Sequence, residues 1–198
     1  MLSHIIYRIK HKVSLFYYRR LKSKVTFKSP LKLHLGCSVV YLKDYVNIDI
    51  SSNSVADLKA DFRELYKIYS PETVTEILVV HGISYLRYWE CLDFFKQCYI
   101  LLKKGGKLII EFPDIEKCSS QLLKSRYNLV EYMEAVRGIY AFDLKQIRNR
   151  EKFQTYAFGW SAWHLSEELK KTNFTDIVCS TGMLHSYSWR DSRVEATK

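Results

Sequence analysis

Four short apolar runs constrain this chain more than any other feature: LKLHL (31–35), VNIDI (46–50), TEILVV (75–80) and KLIIEF (107–112). Nearly continuous apolar runs of five or six residues suit strands of a parallel sheet buried on both faces. Between the last two lies YLRYWECLDFFKQCYILLKK, where Leu86, Trp89, Leu92, Phe95, Tyr99 and Leu102 recur at spacings of three and four. That periodicity predicts a helix with one buried face. Strands alternating with helices predict an α/β, doubly wound, mostly parallel sheet covered on both sides.

Residues 114–198 are more polar. LLKSRYNLVEYMEAVRGIY reads as helical, an insertion or cover over the sheet edge. SAWHLSEELKKTNF has Ser161 as an N-cap, Leu165 and Leu169 directed inward, and Asn173 where a left-handed stop is wanted. TDIVCS (175–180) and RVEATK (193–198) predict two closing strands, an antiparallel pair at the end of the sheet.

The first residues follow another rule. Leu2, Ile5, Ile6, Ile9, Val13, Phe16 and Tyr17 fall at helical spacing, with Arg8, Lys10, Lys12, Arg19, Arg20 and Lys22 largely between them. Residues 1–29 are therefore expected to form a basic amphipathic helix, and Pro30 marks the start of a single domain over 30–198. The net charge is +10, yet residues 1–43 hold ten Lys or Arg and no acid. The excess is thus confined to one end. It suits packing of the helix on its own domain or contact of residues 1–28 with an anionic membrane face, and argues against nucleic acid as a partner of the whole domain.

With 198 residues, 47% of them apolar, the chain is long enough for one domain with a substantial core. No stretch reaches the roughly 18–20 apolar residues that cross a bilayer. Five scattered cysteines without a CxxC pair fit neither a disulfide framework nor a zinc ribbon, and a reducing cytoplasm is expected. The six histidines show no ligand spacing with cysteine or acid, so no metal is expected.

In an open α/β sheet ligands bind beyond the carboxyl ends of the strands, at the topological switch point. Gly36-Cys37-Ser38 follows the first run, where glycine lets backbone approach a ligand and a following helix N-terminus would offer N–H donors. Asp49 ends the second run between Ile48 and Ile50, a setting in which a carboxylate needs a partner, and ribose hydroxyls would serve. GxGxxG is absent and Asp49 lies only 13 residues past Gly36, which disfavours a dinucleotide; GxxxxGK[ST] is absent too, which excludes a P-loop.

The ordered segments LHLGCS (33–38), DYVNIDI (44–50), ADLKADF (56–62), HGISYL (81–86), LLKKGGKLIIEFPD (101–114) and SRVEATK (192–198) resemble the class I S-adenosylmethionine-dependent methyltransferases. The likeness is strongest to a small bacterial branch associated with surface-polysaccharide synthesis. It implies a Rossmann-like sheet with an antiparallel terminal strand, S-adenosyl-L-methionine as cofactor, and a glycan, lipid or small-molecule acceptor. Carried over by position, Leu35, Gly36 and Cys37 would line the methionine end of the cofactor. Asp49 would hold the ribose, Asp61 the adenine amino group, and the N–H of Phe62 a ring nitrogen. His81 would face the methyl group as the first candidate base, with His164 a distant second. Gly105-Gly106 would cap the preceding helix, and Pro113 and Asp114 would border the acceptor.

Two departures stand out. Ser38 replaces the family's usual glycine, and His81-Gly82-Ile83-Ser84-Tyr85 lacks the carboxylate and second imidazole of the HVLEH-like pattern. These motivate a rival reading, a degenerate binding or scaffolding module. Trp160, Trp163, Tyr187 and Trp189 supply aromatic faces suited to sugar rings or to a core. Cys37 has no recognisable base nearby, so a nucleophilic role is not expected.

Overall fold

The structure, a computed structural model, describes residues 30–142, 148–149, 154–184 and 188–198. The basic helix expected over residues 1–29 lies outside the described residues. The strands are β1 (Lys32–Leu35), β2 (Val46–Asp49), β3 (Leu58–Lys59), β4 (Val74–Val80), β5 (Leu102–Pro113), β6 (Thr175–Thr181) and β7 (Asp191–Thr197). They form one sheet in the order β3-β2-β1-β4-β5-β7-β6. The first five neighbours pair in parallel, while β7 runs antiparallel to both β5 and β6. The expected doubly wound sheet with its reversed terminal strand is present.

The sequence sorts the two faces by alternation along each strand. Leu33, Leu35, Ile48, Ile77, Val79, Leu108, Ile110, Val194 and Ala196 belong to one buried cluster. Phe94, Phe95, Cys98 and Leu101 of helix α1 (Tyr88–Leu101) join it, with Leu165 and Leu169 of a later helix and the fully buried Trp160. The opposite face is largely polar. His34 bonds Asn47 at 3.0 Å, Lys32 pairs with Glu76, and Arg193 pairs with Glu111 and Glu195. Among the described residues no helix lies between β1 and β2 or between β2 and β3, so the expectation of helices on both sides is corrected for this half of the sheet. Residues 36–45 pass between parallel strands as turns.

Two further expectations change. The stretch over 122–140 divides into α2 (Ile115–Lys124) and α3 (Leu129–Tyr140), because Asn128 accepts from the N–H groups of Val130 and Glu131 and starts a new helix. Gly105-Gly106 does not cap α1, which ends on extended Leu102; the pair lies within β5, at the register shift between Leu102 and Lys107. There Gly105 takes φ +76° and its N–H donates to the carbonyl of Lys198 at 2.8 Å. Helix α4 (Ala162–Lys171) follows the local signals closely. Ser161 accepts from His164 N–H, and Asn173 adopts a left-handed φ of 69°. No helix among the described residues is long and apolar enough to cross a membrane.

Candidate functional site

A cleft of about 650 Å³ opens beyond the carboxyl ends of β1, β2 and β4, where the strand order reverses. Gly36, Asp49, Asp61, Phe62, His81 and Tyr85 all line it. Its volume lies within the roughly 300–1,000 Å³ typical of small-molecule sites. Ser38 and Tyr85, the residues at which the motifs depart from the family, line the space without filling it. Leu35 is not part of the lining: its side chain is fully buried in the core face.

The first turn is organised around a carboxylate rather than a helix end. Gly36 takes φ +69°, which an L side chain would strain, and its N–H donates to the carbonyl of Ile48 at 2.8 Å. A Cβ there would find Gly82 Cα no nearer than 3.8 Å, so conformation, not space, demands glycine. The chain then brings Ser38 N–H to Asp49 Oδ2 at 2.8 Å, while Ser51 N–H donates to Oδ1 at 2.7 Å. Asp49 thereby finds the partners that its buried position required, and these are the chain's own amides. A carboxylate offers about four acceptor sites, and these two bonds use one on each oxygen. Ser38 pays for its place with a positive φ of 46°. Cys37 is buried, and desolvation, followed by the charges of Asp49 and Asp57, pushes its thiol up to about 12. It remains a protonated thiol at neutral pH, with no nucleophilic character.

Asp61 caps the turn Phe62–Lys67 by accepting from Arg63 N–H. Its carboxylate is also engaged by the Arg63 side chain: Nε reaches both oxygens at 3.0 Å and Nη2 reaches Oδ2 at 2.6 Å. Hydrogen bonding from Arg63 holds the Asp61 carboxyl below its ordinary value. The same guanidinium reaches Glu90 at 2.8 Å. Arg63 is a cleft residue that the motifs did not flag, and the only signal for it was a cation two positions after an acid. Phe62 sits edge-on to Phe94, with centroids 5.3 Å apart.

His81 closes the other end. It follows β4 in a left-handed conformation at φ 56°, with its N–H donating to the carbonyl of Glu111 at 2.7 Å. Strained non-glycine backbone of this kind concentrates at functional sites. Its Nε2 lies 3.2 Å from Oδ2 of Asp191, the first residue of β7, 110 positions away. Asp191 is fully buried and is also held by Arg190 through Nε at 2.7 Å and Nη2 at 2.9 Å. Burial works to raise the Asp191 carboxyl, but the hydrogen bonds and charges of His81 and Arg190 outweigh it and bring it down to about 2. Ionised Asp191 only accepts, so His81 Nε2 is the donor in this contact. Tyr85 packs edge-on to Tyr156 at 4.9 Å beside this pair.

Several predicted residues lie elsewhere. Asp114 does not border the cleft; it is a buried junction that caps α2 through Oδ1 and accepts from Ala162 N–H and Ser192 Oγ through Oδ2. His164 stacks on Tyr88 and lies 3.7 Å from Glu168, away from the cleft. Trp160 is a core residue, Trp163 is exposed on another groove, and Tyr187 lies outside the described residues. No cluster of His, Cys, Asp or Glu among the described residues suits a metal ion.

No protein-family model and no curated protein matches the chain. Solved structures do. A SAM-dependent methyltransferase of Methanosarcina mazei matches with TM-score 0.61 and 13% identity, over 87% of this chain and 94% of that one. One from Thermotoga maritima matches with TM-score 0.57 and 16% identity, over 98% of this chain and 99% of that one. A phosphoethanolamine N-methyltransferase of Haemonchus contortus, solved with S-adenosylhomocysteine, matches with TM-score 0.52 and 12% identity, over 90% of this chain and 51% of that one. The chain has the Rossmann-like fold of SAM-dependent methyltransferases.

Proposed function

We propose that the chain is an S-adenosylmethionine-dependent methyltransferase acting in the cytoplasm on a hydroxyl or amine of a small-molecule, lipid or glycan acceptor. One observation carries this reading. A single cleft at the switch point gathers a left-handed glycine turn, carboxylates after two successive strands, and a carboxylate-oriented imidazole. The fold is shared with enzymes that use this cofactor, which supports the choice of ligand.

The residues present fit the group. Asp49 would hold the ribose with the acceptor sites left by Ser38 and Ser51, and the backbone of Gly36 and Cys37 would run beside the methionine end. Asp61 and Phe62 would frame the adenine, with Arg63 keeping its bond to Glu90 and releasing Asp61. The cofactor, when bound, supplies a methyl group made electrophilic by its sulfonium, so positioning for attack provides much of the rate. His81 is the proposed base: its ring would take the acceptor's proton while Asp191 fixes the ring and stabilises the imidazolium. The neighbouring Tyr85 would border the acceptor.

The second reading, a non-catalytic binding module, draws on the Asp61–Arg63 contact, which occupies the expected adenine partner. Calorimetric titration with S-adenosylhomocysteine separates the two. Wild type is expected to bind, and Asp49→Ala to lose about tenfold or more in affinity, the order expected when a charge-assisted hydrogen bond is removed. Absence of heat with the wild-type chain would remove the enzyme reading.

A further inference from the structure

We propose that the turn joining α2 to α3 is an anchor that inserts into the interface of an anionic membrane. The turn presents the most exposed large apolar side chain among the described residues, Tyr127 at 93%, together with Leu123 at 74%, Leu129 at 74% and Val130 at 75%. Four such side chains within eight positions form a patch of the kind that marks an interaction site rather than scattered surface residues. Lys124 and Arg126 stand between them, and residues 119–130 contain no acid. Arg126 lies over the Tyr127 ring at 5.6 Å.

The exposure is built in, not a frayed end. Ser125 is buried, its Oγ accepts from Gln121 Nε2 at 2.9 Å and lies 3.3 Å from Glu131, and its carbonyl accepts from Asn128 N–H at 2.9 Å. Asn128 in turn caps α3. Behind the turn the two helices close tightly: Cys118 and Ala135 are fully buried, and a Cβ on Gly138 would come within 2.7 Å of Cys118 Sγ. The first acid of α3, Glu131, lies behind the turn and accepts from the buried Ser125, and Glu134 pairs with Arg137 at 3.7 Å. The hairpin therefore holds its apolar side chains out on a braced, cationic turn.

That shape chooses the partner. Four exposed apolar side chains and two cations are far fewer than the roughly 20–30 residues a side of a stable protein interface. They do suit the bilayer interface, where tyrosine rests at headgroup depth, aliphatic side chains reach the acyl boundary and Lys and Arg meet anionic lipid. The surplus of cations in residues 1–43 has the same sign and would act in the same direction.

The test is co-sedimentation of the full chain with phosphatidylcholine vesicles, with and without about 30% phosphatidylserine, a composition that sets the surface potential. Wild type is expected to prefer the anionic vesicles. Leu129→Ser/Val130→Ser and Lys124→Glu/Arg126→Glu should each weaken partition by about tenfold, as loss of buried apolar area or of two surface cations requires. Urea midpoints of both variants should match wild type, because the altered side chains are exposed. Binding unchanged in both variants, or lost only when residues 1–28 are neutralised, overturns the proposal. So does loss in the charge variant alone, which would mean attraction without insertion. A wild-type chain that ignores vesicles but self-associates through this turn would show a protein surface instead.

Discussion

At the scale of single residues, the site depends on which groups hold its carboxylates. Asp49 was legible from position, since it closes a β-rich run, and Asp61 only through the family resemblance; their partners were legible from neither. A backbone pattern says where a carboxylate sits; it does not say which rotamer a neighbouring arginine takes. Arg63 is the consequential case, because it covers Asp61 with three side-chain contacts while lining the cleft itself. Under the methyltransferase reading, Arg63→Met should tighten S-adenosylhomocysteine binding several-fold in calorimetry, as it removes a competitor for Asp61. The half-exposed pair contributes little to folding, so stability should change by less than about 1 kcal/mol. Weaker binding in that variant would make Arg63 a ligand contact instead. Ser38 shows the same limit of sequence reading: the substitution for glycine was visible, its left-handed backbone and its bond to Asp49 were not.

At the scale of elements, local rules performed well where the decisive groups were neighbours in the chain. Ser161 and Asn173 delimit α4 because capping and left-handed stops are settled within four residues. The same rule acts at Asn128, where a cap divides the stretch expected as one helix between α2 and α3. The contact between those helices is testable. Gly138→Ala gains helix propensity of about 1 kcal/mol but places a methyl group 2.7 Å from Cys118 Sγ and 3.2 Å from Arg190 Cδ. Overpacking of this kind costs about 1–3 kcal/mol, so the urea midpoint should fall. Adding Cys118→Ala should restore much of the loss, since it removes the atom in the way.

Across the whole molecule, the sheet order joins parts that the sequence keeps far apart. β7 enters beside β5, which brings Asp191 to His81 across 110 positions, and Arg190 packs against Asp191 in the same buried region. Truncating Asp191 to Ala breaks this buried pairing and should cost about 3–5 kcal/mol in denaturant unfolding. The pH dependence has a defined sign. The folded Asp191 carboxyl lies near 2, below its ordinary value of 3.8, so its contribution is complete above pH 3.8 and is lost as pH falls toward 2. Between those limits wild type should lose more stability than Asp191→Asn, measured as the difference in urea midpoints. Equal slopes would mean that Asp191 is not held in this pairing.

The sequence by itself determined every strand but β3, the Ser161 and Asn173 limits of α4 and the order of the cleft-lining turns, because each rests on periodicity or on hydrogen bonds between near neighbours. Only the tertiary structure decided that the loop after β1 clasps Asp49, that Arg63 covers Asp61, and that Asp191 orients His81. Those pairings depend on which strand ends lie side by side and on how buried charges find partners, and neither is written into any local stretch of chain.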